Sequence, residues 1–223
     1  FNHPFIDFFG READTFDFIK EDSLDFSYNP SDDELLKLVA AELAQNASKQ
    51  FIVLHTYGSH LNYRERYPSD NAYFLPDFPV DAEVKYKDNL VNAYDNSIRY
   101  TDDFLARLIE MLQEQNVDAA MLYTSDHGED IFDDNRRLFL HASPVPSYYQ
   151  IHVPFLVWMS DGYRRHYPVL LRNAEANKQK NISSSASFFQ TMLELGGVET
   201  PYRNDSLSVT NALYSEKPGV YLY

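Results

Sequence analysis

Apolar residues along the chain follow two repeats, one helical and one extended. After Pro30, the stretch DDELLKLVAAELAQN sets Leu35, Leu38, Val39 and Leu43 on one helical stripe. Ser31, with Glu34 three residues on, reads as a capping box at its start. FIVLHT (51–56) is a short continuous apolar run, the pattern of a buried strand. Residues 57–81 are broken by Pro68, Pro76 and Pro79 and read as loop. From about Val84, the positions Val91, Tyr94, Ile98, Leu105, Leu108, Ile109 and Leu112 keep a period near 3.6 and predict a long helix. AAMLYTS (119–125) and HVPFLVWMS (152–160) read as two further strands, and 163–180 as polar and partly helical. SSSASFFQTMLELGG (183–197) predicts a helix with serines at its start and a Gly-Gly stop. Residues 1–30 have no clean period, with Phe5, Ile6, Phe8 and Phe9 as docking residues, and the closing GVYLY reads as a strand. Helices alternating with buried strands predict an α/β fold with a mainly parallel sheet.

Composition narrows the function classes. At 223 residues and 44% hydrophobic, the chain has ample material for a core. A formal charge of −15 argues against a nucleic-acid or anionic-membrane binder, which needs a basic surface. With no Cys there is neither a disulfide framework nor a thiolate metal site, so any metal falls to His, Asp or Glu. No apolar run approaches membrane-spanning length. The first residue is Phe1, and the chain is expected to be part of a longer or processed protein.

In an α/β sheet, sites form beyond the carboxyl ends of strands. Three segments put chemistry there. His60 follows the 51–56 run by four residues, Asp126 and His127 follow 119–125 directly, and His141 lies in the loop before 152–160. A carboxylate and an imidazole at a strand end can face one cation, and two such ligands are half of a tetrahedral zinc site. Gly128 is read as the residue that allows a sharp turn. By itself the Asp126–His127 pair also fits a plain turn, and His60 and His141 singly fit ordinary loop residues. Glu129 and Asp130 are read as solvated charges at a helix start. His55 and His152 are read as structural, and the tyrosines 57, 63, 67 and 73 as surface packing or a substrate wall.

Together, HTYGSHLNYRERYP, NAYDNSIRYTDDFLARLIEML, MLYTSDHGED, LFLHASP and HVPFLVWMSD resemble, in order and spacing, the phosphoethanolamine transferases, sulfatase-like members of the alkaline phosphatase superfamily. The resemblance covers about residues 50–200. It implies a three-layer α/β sandwich, incomplete at the N-terminus, with residues 1–223 as one catalytic-domain fragment lacking an upstream nucleophile strand and membrane anchor. It implies a Zn2+ enzyme with Asp126 and His127 as metal ligands, and with His60 and His141 as catalytic groups that bind phosphate or a second metal. The implied reaction moves phosphoethanolamine from phosphatidylethanolamine to lipid A or another glycan through an upstream Thr outside this chain. The implied setting is the periplasmic face of a bacterial inner membrane. On that reading the fragment alone is inactive, since Thr15 in READTFDF does not have the nucleophile's surroundings. Further positions depart from the family pattern: Ser185, Ala186 and Gln190 stand where relatives often have His, Asp and His, and Ala142 where Gly is usual. A sulfatase or phosphodiesterase-type hydrolase of the same superfamily, or a degenerate non-catalytic domain, are the alternatives.

Overall fold

A computed structural model describes residues 10–19, 31–45, 47–141 and 143–216. The docking residues expected at 5–9, Ala142 and the GVYLY tail lie outside the described residues. Helix α1 spans Asp33–Leu43. A long segment with short 3₁₀ turns leads to α2, Lys87–Glu114, the 28-residue helix that the period near 3.6 predicts. Strand β1 (Ala120–Thr124) follows, then the short strands β2 (Asp130–Ile131) and β3 (Phe139–Leu140) and a one-turn helix α3 (Tyr148–Ile151). Strand β4 (Phe155–Met159) then leads into α4 (Asp161–His166), α5 (Pro168–Asn177) and α6 (Ser184–Leu195).

The start of α1 differs from the expected capping box. The helix begins at Asp33, and Glu34 pairs with Lys37 Nζ at 2.6 Å instead of reaching back. Asp32 at the cap position turns its carboxylate away, accepting hydrogen bonds from the backbone N–H groups of Tyr57 and Gly58 at 2.8 and 2.9 Å. At the other end of the chain the Gly-Gly stop holds. Gly197 adopts φ +62°, a backbone that side-chain-bearing residues resist. Val198 N–H reaches the Leu193 carbonyl at 2.8 Å and Gly197 N–H that of Glu194 at 3.0 Å, closing a Schellman motif on α6.

The strand alternation of β1 builds three layers. Met121 and Tyr123 pack on one face against Leu35, Leu36 and Val39 of α1 and Phe104, Leu105 and Leu108 of α2. Ala120 and Leu122 pack on the other against Met159, Tyr163 of α4 and Leu195 of α6. Residues two apart on a strand share a face, so a five-residue strand serves two helical layers. This is the mixed α/β class that the sequence predicts.

Two local expectations are corrected. The ladders among the described residues are antiparallel: β1 pairs β4 with Thr124 opposite Phe155, and β2 pairs β3. The reason is the connection. The described residues of 125–154 contain a hairpin and one helical turn but no crossover helix, so β4 starts at the end where β1 stopped. The second correction concerns 51–56, which is extended but paired in no ladder among the described residues. Leu54 packs into the α1–α2 core, while Phe51 and Val53 are each 74% exposed. An apolar run gives the tendency to extend; a strand also needs a neighbour with which to exchange hydrogen bonds.

Candidate metal centre

The candidate centre forms where β1 ends. Beyond Thr124 the chain turns through Ser125 and Asp126, and Gly128 N–H donates to the Gln150 carbonyl at 2.8 Å, tying this loop to α3. The need for Gly128 is close approach, not an unusual φ: a Cβ there would collide with the backbone carbonyl of Tyr149. His127 and Glu129, two residues apart, point to one side. His141, delivered by the end of β3, lies against His127 with ring centres 3.8 Å apart and planes tilted by 32°.

Glu129 organises the pair. Its side chain is only 5% exposed, and Oε1 lies 3.0 Å from His141 Nδ1 and 4.0 Å from His127 Nδ1. Accepting the His141 Nδ1–H leaves His141 Nε2 with its lone pair outward. His127 Nδ1 lies 3.0 Å from the Gly128 carbonyl, which favours the same tautomer on the second ring. The second oxygen of Glu129, Oε2, is buried with no hydrogen-bond partner, and so is the Tyr63 hydroxyl. Burial pushes the Glu129 carboxyl up, against the pull of His141, His127 and His60. The same burial, with the Glu129 charge next, pushes the Tyr63 phenol up and the Tyr94 phenol to about 12.

One ligand atom each from His127, Glu129 and His141 falls within a 4.8 Å cluster. Two imidazoles with a carboxylate behind them suit zinc, the carboxylate orienting the rings. The buried Glu129 oxygen without a partner shows that these residues fit a cation: a bare carboxylate held out of water is costly unless positive charge faces it.

The residues singled out in the sequence are placed as follows. His127 and His141, 14 residues apart in sequence, come into contact. Asp126 sits beside them, its side chain 85% exposed and Oδ2 3.7 Å from His127 Nε2, the ring nitrogen that faces away from Gly128. His60 stands at the rim, exposed, with Nδ1 2.7 Å from the Leu61 carbonyl and its ring edge-on to Tyr57. Glu129 and Asp130 are not solvated helix-start charges. Both are buried, and Asp130, on strand β2, accepts from Gln150 Nε2. The signal for Glu129 was its offset of two from His127, which puts both on one side of an extended segment. His55 and His152 are exposed. Tyr63 is fully buried rather than a surface residue. On α6, Gln190 has a structural role: Oε1 accepts from Asn204 N–H at 2.6 Å and Nε2 donates to the Tyr202 carbonyl at 3.2 Å.

A three-layer α/β domain carrying a His-carboxylate cluster at a strand end is the setting of a sulfatase-type centre, and the chain belongs to the sulfatase family, whose profile matches residues 1–198. Within that family it is similar to the phosphoethanolamine transferases. It is 42% identical over 125 residues to the Kdo(2)-lipid A phosphoethanolamine 7''-transferase of Salmonella typhimurium, covering 54% of this chain and 21% of that protein. It is 35% identical over 157 residues to the phosphoethanolamine transferase EptA of Escherichia coli K12, covering 68% and 28%. The chain therefore spans about a quarter of these relatives' length. Among solved structures, the periplasmic domain of EptC from Campylobacter jejuni superposes with a TM-score of 0.74 at 30% identity, over 84% of this chain and 60% of that one. The Escherichia coli EptC domain, in a complex with Zn, shares the fold at TM-score 0.84 and 24% identity, over 97% and 60%.

Proposed function

We propose that this chain supplies the His-rich side of the active centre of a zinc-dependent phosphoethanolamine transferase. The reading has Asp126 and His127 hold the catalytic Zn2+, with His60 and His141 facing the phosphate group or a second metal. The carrying observation is the His127–Glu129–His141 cluster, with a buried carboxylate oxygen that lacks a hydrogen-bond partner and with Asp126 Oδ2 3.7 Å from His127 Nε2. Similarity to lipid A-modifying transferases supports a lipid A or related glycan acceptor and a periplasmic setting. Phosphatidylethanolamine is the donor on this reading, and residues 1–223 are part of one catalytic domain.

A bound zinc ion would lower the pKa of a coordinated hydroxyl and stabilise charge on the phosphoryl oxygens. The protein's own part is positioning and proton handling. Glu129 holds the His141 ring with Nε2 outward. In the first half-reaction a Thr oxygen from outside this chain, its hydroxyl proton already given up to solvent, bonds to phosphorus while the bond to the diacylglycerol oxygen breaks. An imidazolium at His60 or His141 gives its proton to that leaving oxygen. In the second, the acceptor hydroxyl bonds to phosphorus, its proton passes to the same imidazole and restores the imidazolium, and the Thr oxygen leaves deprotonated, as it began.

The test is zinc content and zinc affinity of the full chain against Asp126→Ala, His127→Ala and His141→Ala. Loss of affinity in Asp126→Ala and His127→Ala supports these two as the ligands, and a loss in His141→Ala as well supports a metal facing His141. Unchanged metal content in both Asp126→Ala and His127→Ala rejects it.

A further inference from the structure

Gln150 grips the chain on both sides of Glu129. It lies on the one-turn helix α3 and is buried. Its backbone carbonyl accepts from Gly128 N–H at 2.8 Å, and its side-chain Nε2 donates to Asp130 Oδ2. Its own backbone N–H donates to Ser147 Oγ at 3.2 Å, which fixes the clamp in turn. The residue between the two held positions is Glu129. Neighbouring side chains along a strand face opposite ways, so an Asp130 carboxylate turned to Gln150 sends the Glu129 carboxylate to the other side, where His141 lies. Glu129, Asp130, Ser147 and Gln150 are all buried by this chain's own residues.

Each hold leads to one imidazole. Gly128, held by the Gln150 backbone, presents its carbonyl 3.0 Å from His127 Nδ1. Asp130, held by the Gln150 side chain, sets the strand on which Glu129 Oε1 lies 3.0 Å from His141 Nδ1. The side-chain hold is the more consequential one. Without the Nε2 donor, Asp130 Oδ2 is a buried charged oxygen short of a partner, which is costly. A roll of β2 that turns this oxygen toward water carries Glu129 away from His141. Hydrogen bonds weaken steeply as their geometry is lost. His141 then lacks the acceptor that keeps its proton on Nδ1 and its Nε2 lone pair outward, and the ring is shared between both tautomers.

We propose that Gln150 is a positioning residue of the centre: its side-chain amide, acting through Asp130, aims Glu129 and so holds His141 with its proton on Nδ1 and Nε2 free. The proposal rests on the metal reading only for what that free Nε2 faces. The test compares the full chain with Gln150→Met, which keeps the length and loses the donor. Nitrogen–proton correlation spectra, in chelator-treated buffer alkaline enough to keep the rings neutral, read the tautomers of His127 and His141. Competition with a chromophoric chelator reads zinc affinity. Asn177→Ala is the control for loosening elsewhere, since it removes a buried amide that donates to the Val209 and Asn211 carbonyls at 2.9 and 3.0 Å. In Gln150→Met the His141 ring should pass to a mixture of tautomers and zinc affinity should fall about tenfold, the low end for a group that supports a ligating imidazole. His127 should change less, because the substitution leaves the backbone carbonyl on Gly128 in place. Asn177→Ala should melt at a lower temperature with both rings and zinc affinity unchanged. Should Gln150→Met fail to fold, Gln150→Asn, whose amide ends one methylene short of Asp130, is read for the same outcomes. A His141 tautomer unchanged by loss of the Gln150 donor overturns the proposal and leaves the metal reading standing. The same mixing in Asn177→Ala also overturns it, by making the change one of general loosening. Absence of zinc binding by the unaltered chain, with the His141 tautomer still lost in Gln150→Met, would overturn the metal reading and leave the positioning role standing.

Discussion

Replacing Glu129 by Gln should make the metal-free chain more stable and its metal weaker. The carboxylate is buried under two imidazoles, with Oε1 on His141 Nδ1 and Oε2 without a partner. A buried polar atom left unsatisfied costs about 1–3 kcal/mol, more when charged. The amide introduced by Glu129→Gln would keep the size and the acceptor for His141 and remove the charge that acts on the Tyr63 and Tyr94 phenols. We expect a gain of about 1–2 kcal/mol in unfolding free energy in chelator-treated buffer, within the range for relieving such a group. Zinc affinity should move the other way, by about 10-fold for Glu129→Gln and nearer ~100-fold for Glu129→Ala, the usual span for a carboxylate that orients a ligating imidazole. Urea denaturation with chelator gives the first quantity, and competition with a chromophoric zinc chelator gives the second. A Glu129→Gln chain that is less stable without metal yet binds zinc as tightly as the unaltered chain would refute the reasoning on both counts.

Other outcomes follow from the packing. Gly128→Ala should destabilise by about 1–3 kcal/mol in thermal or urea unfolding, since the new Cβ meets the Tyr149 carbonyl and one strand-end loop must shift. Asn96→Ala removes a buried amide that makes three bonds to loop 72–80, and should cost about 2–3 kcal/mol with faster proteolysis of that loop. Asp33 joins α1 to α2 through Arg107 Nη2 and the Tyr100 hydroxyl, each at 2.6 Å. Burial raises its pKa, but the bonds from Arg107 and Tyr100 outweigh this and leave it below the ordinary aspartate value of 3.8. A depressed carboxyl contributes stability above its unfolded pKa and loses it as pH falls through the folded one. Unfolding free energy should therefore drop below about pH 4, and the part of that drop due to Asp33 should vanish in Asp33→Asn.

The apolar repeats and the chemistry at strand ends were legible in the chain itself. The stripes in α1 and α2, the run of β1 and the Gly-Gly stop of α6 are local properties, set by periodicity and by the few residues that tolerate a left-handed turn. His127 and His141 were recognisable as candidates because an imidazole just beyond a buried strand sits where α/β sheets expose chemistry.

Non-local pairing belonged to the tertiary structure. The antiparallel return of β4 depends on a connection without a crossover helix, and the 51–56 run stays unpaired among the described residues because an apolar sequence cannot supply its own hydrogen-bonding neighbour. Glu129 shows the difference most clearly. In sequence it is one acid in an acidic chain, next to Asp130 and two residues from His127. Only the fold removes it from water, brings His141 to its Oε1 and leaves its other oxygen bare. Burial and long-range contact, not residue type, turn that carboxylate from a solvated charge into the organiser of the His127–His141 pair.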